Sequence, residues 1–300
     1  MEIQSLQFFN KERLPESAKT VFSILIPTWN NLEYIQLCVE SIQKNSAYPH
    51  QIILIINEGI DGTSQWAKEK EVADYVLANE NIGICFGLNS ARKLILSPYV
   101  MYMNDDMYVL PSWDVPLVDT IIEIPHKMWM LSATMIEGID TGNQCVVVRN
   151  FGSNPSTFNR ESCDREYQNL VRNDWAGSTW PPNVMPLELW DLVGGMSVEF
   201  SPGMYSDPDL SHKLFLAGVR YFKGVGSSLV YHFGSKSTGR IRKNKGRLQF
   251  LRKWNYSANY FLHSILHLGE HFQELPKEPP KLPLSVKLKS VFKLIRGIQD

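Results

Sequence analysis

Short apolar segments that alternate with helical stretches dominate the first third of the chain. The strand-like segments are Val21–Pro27, Gln51–Ile56, Ala73–Ala78 and Tyr99–Met103. The helical stretches between them are Leu32–Asn45, Ser64–Lys70 and Ile84–Leu96. This β-α-β alternation with short connections predicts an α/β fold, with a mostly parallel sheet, right-handed crossovers and helices on its faces.

A polar turn follows each predicted strand. These turns are Thr28–Asn31, Asn57–Asp61, Asn79–Asn81 and Asn104–Asp106. In a parallel sheet the carboxyl ends of the strands lie along one edge, where open α/β proteins bind their ligands. The sequence therefore predicts one composite polar site at that edge.

The turn Asn104–Asp106 carries two adjacent acids directly after an apolar run. A carboxylate at the end of a buried strand needs a partner, because its desolvation is unfavourable. One interpretation is a metal and phosphate site, and the other is a polar turn that closes a core strand. The turn by itself leaves both open.

The composition excludes several classes of protein. The chain has 300 residues and a net charge of -1, which gives no sign of nucleic-acid binding. Its four cysteines are scattered without a CxxC pair, so neither a zinc site nor a disulfide framework is indicated. The polar N-terminus is unlike a signal peptide and no apolar run is long enough to span a bilayer, so we expect a cytoplasmic location.

Two nucleotide-binding motifs are absent. No GxGxxG follows the first strand and no GxxxxGK[ST] occurs, which disfavours a dinucleotide-binding Rossmann domain and a P-loop.

The second half of the chain is less regular, and Asn154–Pro182 has no clear assignment. The elements predicted there are helices at Ser112–Ile124 and from Asp207, and strands at Lys127–Met135, Gln144–Arg149, Met196–Phe200, Val219–Val225 and Ser228–Phe233.

Two segments near the C-terminus are basic. Lys236–Lys253 contains no acid and has three interpretations: a loop that closes over a diphosphate, a contact with anionic lipid head groups, or a solvated surface. After the Pro-rich linker Leu275–Pro283, Leu284–Ile298 has apolar residues on one helical face and lysines on the other. Such a helix lies on a membrane surface or packs on its own domain or a partner subunit.

Four segments of the chain carry a recognisable pattern. They read SILIPTWNNLEYIQLCVESI, IINEGIDGT, NENIGICFGLNSARKLILSPYVMYMNDDM, and GGMSVEFSPGMYSDPDLSHKLFLAG followed by VYHFGSKS. In this order they resemble the opening strand, the acidic-glycine turn, the Asp-x-Asp motif and the catalytic-base segment of the family-2 glycosyltransferases. That family has the GT-A fold, and the resemblance covers about residues 21–237.

The resemblance implies an inverting transferase. It would move a sugar from a nucleotide diphosphate sugar, with a UDP-sugar favoured, to a hydroxyl of a glycan or lipid-linked acceptor, as in polysaccharide biosynthesis. Asp207 matches the base, and Asp106, Asn104 and His232 match positions that hold Mn²⁺ or Mg²⁺. The substrate-binding positions implied in the same way are Pro27, Thr28, Asn30, Glu58, Asp61, Asn81, Asn89, Arg92, Asp105, Asp209 and Lys236.

Two positions depart from the family pattern. Asn104 stands where the first acid of Asp-x-Asp is expected, and it offers a hard cation a carboxamide oxygen without charge. The turn after the second strand is one residue short and has Asn57-Glu58 in place of the usual Asp. If His232 is a ligand, Mn²⁺ suits its imidazole better than Mg²⁺ does.

Each functional interpretation has a structural alternative. Asp207 precedes Pro208, a pairing that also suits the N-cap of a helix. A lone histidine in a strand, such as His232, is often structural. Trp175 and Trp180 would stack on a sugar ring or lie in the core.

The resemblance also divides the chain. Residues 1–20 form an N-terminal extension, 21–255 a catalytic domain with halves 21–111 and 112–255, and 256–300 a helical extension with a linker at 275–283.

Two other functions compete with the transferase. A sugar-phosphate nucleotidyltransferase is disfavoured because Pro27-Thr28-Trp29-Asn30 replaces its basic, glycine-rich loop. An inactive nucleotide-sugar-binding protein is suggested by Asn104, but the acids and histidine at the other motif positions argue against it.

Overall fold

The computed structural model describes residues 6–9, 20–234 and 244–297 of the chain. The strands are β1 Gln7–Phe9, β2 Phe22–Trp29, β3 Gln51–Asn57, β4 Asp74–Ala78, β5 Tyr99–Tyr102, β6 Met107–Val109, β7 Trp129–Glu137, β8 Val146–Val148, β9 Trp175–Ala176, β10 Asn183–Pro186 and β11 Tyr221–His232. The helices are α1 Leu32–Asn45, α2 Thr63–Lys70, α3 Gly83–Ser90, α4 Val115–Glu123, α5 Arg160–Glu166, α6 Leu187–Val193, α7 Ser206–Leu216, α8 Gly246–Trp254, α9 Ala258–Tyr260 and α10 Leu284–Arg296.

The strands of these described ranges form one sheet in the order β1-β4-β3-β2-β5-β10-β7-β11-β6, with β8 beside β7 and β9 beside β11. Strands β4, β3, β2 and β5 are parallel to one another, as are β7 and β11. Strand β10 runs antiparallel between β5 and β7. The predicted α/β fold with a mostly parallel sheet is confirmed, and strands of both predicted halves share that sheet. The proposed domain limits themselves stay a prediction.

Two apolar layers lie against the two faces of the sheet. Leu25 and Ile53 belong to one cluster of buried residues, whereas Ile24 and Leu54 belong to the other. Because both faces are covered, β2 and β3 are buried along almost their whole length, which explains why their sequences are continuously apolar. None of the helices described here is long and apolar enough to cross a membrane.

Three predicted elements differ in the structure. Met196–Phe200 is not a strand: Val198–Phe200 is a 3-10 helix, because Gly195, at φ 62°, turns the chain and Met196 bonds to the side chain of Asn89. The two closing strands are one strand, β11, with an irregularity between Val225 and Leu229. The helix predicted over Ile84–Leu96 is α3 followed by a 3-10 turn.

The start of α7 also differs from the structural alternative for Asp207. The helix begins at Ser206, and its N-cap is Tyr205, which has a φ of 71°. Asp207 therefore lies inside the first turn and does not cap the helix. Its carboxylate lines the cleft described below.

Candidate active site

A cleft of about 590 Å³ opens at the carboxyl edge of β2, β3, β5 and β7. The predicted polar turns meet there, together with the loop before α7 and the end of β11. Predicted site residues that line the cleft are Pro27, Thr28, Asn81, Asn104, Asp105, Asp106, Asp207 and His232. The parallel arrangement of the strands thus collects residues that lie as much as two hundred positions apart.

The turn between β5 and β6 presents its acids from a fixed backbone. Asp105 accepts a hydrogen bond from Asn31 Nδ2 at 3.1 Å, and the backbone carbonyl of Asp106 accepts one from Phe233 N at 3.0 Å. Both acids are buried, with 5% and 4% of their surface exposed. These contacts tie the turn to α1 on one side and to the end of β11 on the other.

His232 lies between two carboxylates at the end of β11. Its Nδ1 is 2.8 Å from Glu137 Oε1, and its Nε2 is 3.3 Å from Asp106 Oδ1. Burial disfavours a charged imidazole, but Asp106 and Glu137 outweigh that effect and raise the pKa of His232 to about 10. Without a metal ion, the two neighbouring carboxylates therefore favour the protonated imidazole at neutral pH.

Asp207 faces the same cleft from the first turn of α7. Burial raises the pKa of Asp207 to about 7, opposed in part by a bond from its own backbone N–H. Its Oδ1 has no hydrogen-bond partner in the described part of the chain. A carboxylate with a pKa near neutrality and an unused oxygen has the properties of a general base.

Two ionisable neighbours of Asp207, Tyr102 and Cys85, are uncharged at neutral pH. Burial and then the charge of Asp207 raise the pKa of the Tyr102 phenol, and they raise that of the Cys85 thiol to about 12. Both neighbours are therefore neutral, and neither compensates the carboxylate. This neutral environment keeps the proton affinity of Asp207 high.

The opposite wall offers amide and hydroxyl groups from the ends of β2 and β3. Thr28 is 2% exposed, and its Oγ1 has no hydrogen-bond partner among the residues described. Asn57 accepts a bond from Ile82 N at 3.0 Å, and Asn81 accepts one from Gly83 N at 2.9 Å. This wall has rigid loops and an unused hydroxyl, as a site for a polar ligand requires.

Two predicted substrate contacts bond to each other beside this wall. Asn30 Nδ2 donates to Glu58 Oε2 at 2.9 Å, and both residues have positive φ angles, of 47° and 62°. Neither is among the residues that line the cleft. Asp61 is also outside it and accepts bonds from Leu32 N at 2.8 Å and Thr63 N at 3.1 Å, so its carboxylate joins the starts of α1 and α2.

Three further predicted residues lie in structural pairs away from the cleft. Asn89 bonds to both backbone groups of Met196 at 2.8 Å. Arg92 makes a bidentate pair with Asp191 at 2.5 and 2.7 Å. The third residue is Asp209, which is described next. Lys236, also predicted to bind substrate, lies outside the described residues.

The carboxylate of Asp209, predicted to bind substrate, is bonded to side chains of α8. Its side chain is fully buried, and its Oδ1 lies 2.9 Å from Lys253 Nζ and 2.8 Å from Trp254 Nε1. The residue holds α8 against α7. Although only two positions from Asp207, it points to the opposite side of the helix turn, because two residues correspond to about 200° of rotation.

Asp106 and His232 could provide part of the coordination shell of a divalent cation. No three His, Cys, Asp or Glu side chains within the described ranges are arranged to hold a metal ion. Asp106 and His232 nevertheless offer an oxygen and a nitrogen to one point, and Glu137 binds the other ring nitrogen, as carboxylates do behind metal-binding histidines. A metal there would replace the proton on His232, and substrate oxygens would complete its shell.

The two tryptophans considered for sugar binding have different surroundings. Trp175 is 1% exposed and donates to Thr134 Oγ1 at 2.9 Å, so it belongs to the core. Trp180 lines the cleft and also a side pocket of about 340 Å³. Asn143 and Leu262 are shared by both spaces, which makes the side pocket an extension of the cleft.

Sequence reasoning missed Glu137. The predicted strand ended at Met135, whereas β7 continues to Glu137, which pairs in register with His232 of β11. An acid at the end of an apolar strand was the signal, since the same pattern identified Asp106. The partner could not be inferred, because the two residues are far apart in sequence.

The model of glycosyl transferase family 2 matches residues 23–144. This range contains β2 to β7 and the turn with Asp105 and Asp106. The chain is thus similar to glycosyl transferase family 2 over residues 23–144. The resemblance seen in the sequence is confirmed, and the matched segment supplies Thr28, Asp105 and Asp106 to the cleft.

One curated protein that matches the chain shares modest sequence identity with it. The uncharacterized glycosyltransferase MG025 of Mycoplasma genitalium is 27% identical over 100 residues, which is 31% of this chain and 34% of the relative. The match thus spans about a third of that protein.

Solved structures resemble the chain in fold. TarS 1-349 of S. aureus covers 78% of this chain and 64% of its own, with 13% identity and a TM-score of 0.55. The same fragment in complex with UDP has 15% identity over 71% and 60%, with a TM-score of 0.51. GalNAc-T7 with UDP, GalNAc and Mn²⁺ has 14% identity over 81% and 50%, with a TM-score of 0.55. The chain has the fold of these GT-A glycosyltransferases.

Proposed function

We propose that the protein transfers a sugar from a nucleotide diphosphate sugar to a hydroxyl of a glycan or lipid-linked acceptor, with inversion at the anomeric carbon. The observation that carries the proposal is that Asp207 and the pair Asp106–His232 line one cleft. A transferase of this kind needs a proton acceptor on one side of the reacting carbon and positive charge at the leaving diphosphate on the other.

Asp207 is the base in this mechanism. Its Oδ1 would accept the proton of the acceptor hydroxyl while the oxygen attacks the sugar, and the nucleotide diphosphate leaves from the opposite face. With a pKa of about 7, the carboxylate is ionised in half of the molecules at neutral pH and still has a high affinity for the proton. Its lack of a competing hydrogen bond on Oδ1 keeps it available.

Asp106 and His232 are the residues that would hold Mn²⁺ or Mg²⁺, with Asn104 as a third, neutral donor. The bound ion would neutralise the charge that develops on the departing diphosphate. Glu137 fixes the orientation of His232 through Nδ1. Manganese is our first choice, because imidazole nitrogen is a poorer ligand for Mg²⁺, and GalNAc-T7 resembles the chain and was solved with Mn²⁺.

We place the nucleoside against Thr28, Asn57 and Asn81, and a UDP-sugar is the favoured donor. Two structures with this fold, TarS and GalNAc-T7, were solved with UDP. The acceptor would enter beside Trp180, whose ring borders both the cleft and its side pocket and offers an apolar face to a pyranose.

We also propose a cytoplasmic location, which is supported by four buried cysteines without disulfide bonds.

A ligand screen followed by a turnover assay tests the proposal. The melting temperature is measured with UDP-, GDP- and dTDP-sugars, each with and without Mn²⁺, and release of the nucleoside diphosphate is then followed for the sugars that stabilise. We expect metal-dependent stabilisation by one nucleotide and release that Asp207→Asn abolishes. Asp119→Asn, an exposed acid on α4, is the matched control and should keep full activity.

The outcomes separate the alternatives. Stabilisation by a nucleotide sugar without release by any acceptor would indicate a binding protein instead of an enzyme. Stabilisation by none of the nucleotides would contradict the donor site. Release that survives in Asp207→Asn would remove this residue from the mechanism.

A further inference from the structure

The last helix of the described chain, α10, turns its apolar side outward. Leu284, Leu288, Val291, Phe292 and Ile295 are 70, 60, 52, 59 and 80% exposed. At about 100° per residue these side chains fall within an arc of about 100°, so they form a continuous stripe along the helix. We call these five residues the outer stripe.

The opposite side of α10 rests on the protein. Ser290 is 5% exposed, and Val286, Lys293 and Leu294 are half-buried. Burial and then the charges of Arg247 and Lys289 lower the pKa of Lys293, which places it beside α8. A helix stabilised only by its own domain would bury the apolar stripe and expose the serine and lysine. Here the arrangement is reversed.

The charged residues of α10 are all positive. The sequence of α10, LSVKLKSVFKLIR, contains no acid, and Lys287 and Lys289 are exposed on either flank of the stripe. Lysines in these positions extend their amines beyond the apolar side chains that they border. An apolar stripe between cationic flanks is complementary to the surface of an anionic bilayer, where acyl chains lie beneath negative head groups.

Helix α10 is connected to the cleft wall through α8. Helix α10 packs on α8, and α8 begins beside the cleft wall: a Cβ on Gly246 would lie 2.2 Å from the Met204 carbonyl oxygen. Met204 lines the cleft. Helix α8 therefore contacts both α10 and the wall of the proposed site.

We propose that α10 docks the protein on an anionic lipid membrane, with the outer stripe in the head-group region and Lys287 and Lys289 against lipid phosphates. The docking does not depend on the transfer reaction. It would bring the cleft close to the bilayer, where a lipid-linked acceptor resides, and this consequence alone rests on the proposed function.

Vesicle flotation of the full-length chain tests the proposal. The vesicles contain phosphatidylcholine alone or phosphatidylcholine mixed with phosphatidylglycerol. We expect binding to the mixed vesicles, weaker binding at high salt, and little binding to phosphatidylcholine alone. Leu288→Ser with Ile295→Ser should lower the partition coefficient by more than about tenfold, and Lys287→Gln and Lys289→Gln by roughly fivefold each.

The matched control is a leucine and an isoleucine of similar exposure on other helices. Leu192 and Ile122 are 66 and 75% exposed, and Leu192→Ser with Ile122→Ser should bind vesicles as the parent does. Equal loss in this control would contradict docking by α10. So would absent binding of the parent to mixed vesicles, or a dimer that Leu288→Ser with Ile295→Ser dissociates while no vesicle binding occurs. Any of these results would leave the turnover assay of the proposed function unaffected.

Discussion

Replacing Asp207 by asparagine should make the protein more stable and inactive at the same pH. The folded protein holds this carboxyl in a buried position with an unpaired oxygen, so ionisation is unfavourable there. Asparagine has nearly the same shape and cannot ionise. A residue that lowers stability in the position that chemistry requires is typical of an active site.

The magnitude follows from the pKa. A rise from 3.8 to about 7 corresponds to about 4 kcal/mol of destabilisation once the carboxylate is fully ionised. The side chain is partly open to water in the cleft, which reduces this value. We therefore expect the free energy of unfolding of Asp207→Asn to exceed that of the parent by about 2 kcal/mol at pH 8.

The sign of the pH dependence is opposite to that of an acid in a salt bridge. Because the pKa of Asp207 is higher in the folded state, the folded protein binds more protons than the unfolded chain between about pH 4 and pH 7. This contribution makes stability fall as the pH rises through that window and is constant above it. The advantage of Asp207→Asn should therefore shrink towards zero near pH 4.

Urea unfolding at pH 5 and pH 8, with nucleotide release measured on the same samples, provides the assay. Asp209→Asn is the comparison on the same helix, because it removes the carboxylate that bonds to Lys253 and Trp254 and should lower the free energy of unfolding by about 2 kcal/mol. The reasoning is refuted if Asp207→Asn is no more stable than the parent at pH 8. It also fails if the variant retains more than about a tenth of the activity.

Three further predictions concern the pH profile, the metal and the buried pair. Nucleotide release should fall about tenfold per pH unit below pH 7 and level off above it, because Asp207 must be ionised; a flat profile from pH 5 to 8 would contradict this. Glu137→Gln should weaken Mn²⁺ binding, measured by calorimetry without substrate, by about tenfold, since the bond to His232 Nδ1 becomes weaker; unchanged affinity would exclude a role behind the metal. Lys253→Met should lower the free energy of unfolding by about 3 kcal/mol, whereas Arg92→Met, in an exposed pair, should change it by less than about 1 kcal/mol; equal effects would show that burial does not govern these pairs.

Local periodicity was sufficient for the first half of the fold. Helix α1 begins at Leu32 and ends at Asn45, as predicted, because its apolar residues have only one face to bury. Strand β3 extends one residue beyond its predicted end, to Asn57. Prediction failed where the chain is irregular: Met196 has no strand neighbour, and its bonds go to Asn89, which is more than a hundred residues away.

The candidate site shows the same division. The position of Asp106 at a sheet edge follows from a strand that stops at an acid. The pairing of His232 with Glu137 depends on the register of β7 against β11, which no local pattern encodes. The different surroundings of Asp207 and Asp209 likewise depend on packing, since Lys253 of α8 pairs with Asp209 and Asp207 lines the cleft.

The sequence by itself determined the fold class, the family resemblance and the edge of the sheet at which the polar turns meet, because apolar periodicity and turn residues act over a few positions. Only the tertiary structure decided which polar side chains share the cleft, which are held in structural pairs, and that α10 exposes its apolar stripe. Those properties depend on distances between segments far apart in the chain, and burial and neighbouring charges then set the pKa values of Asp207 and His232.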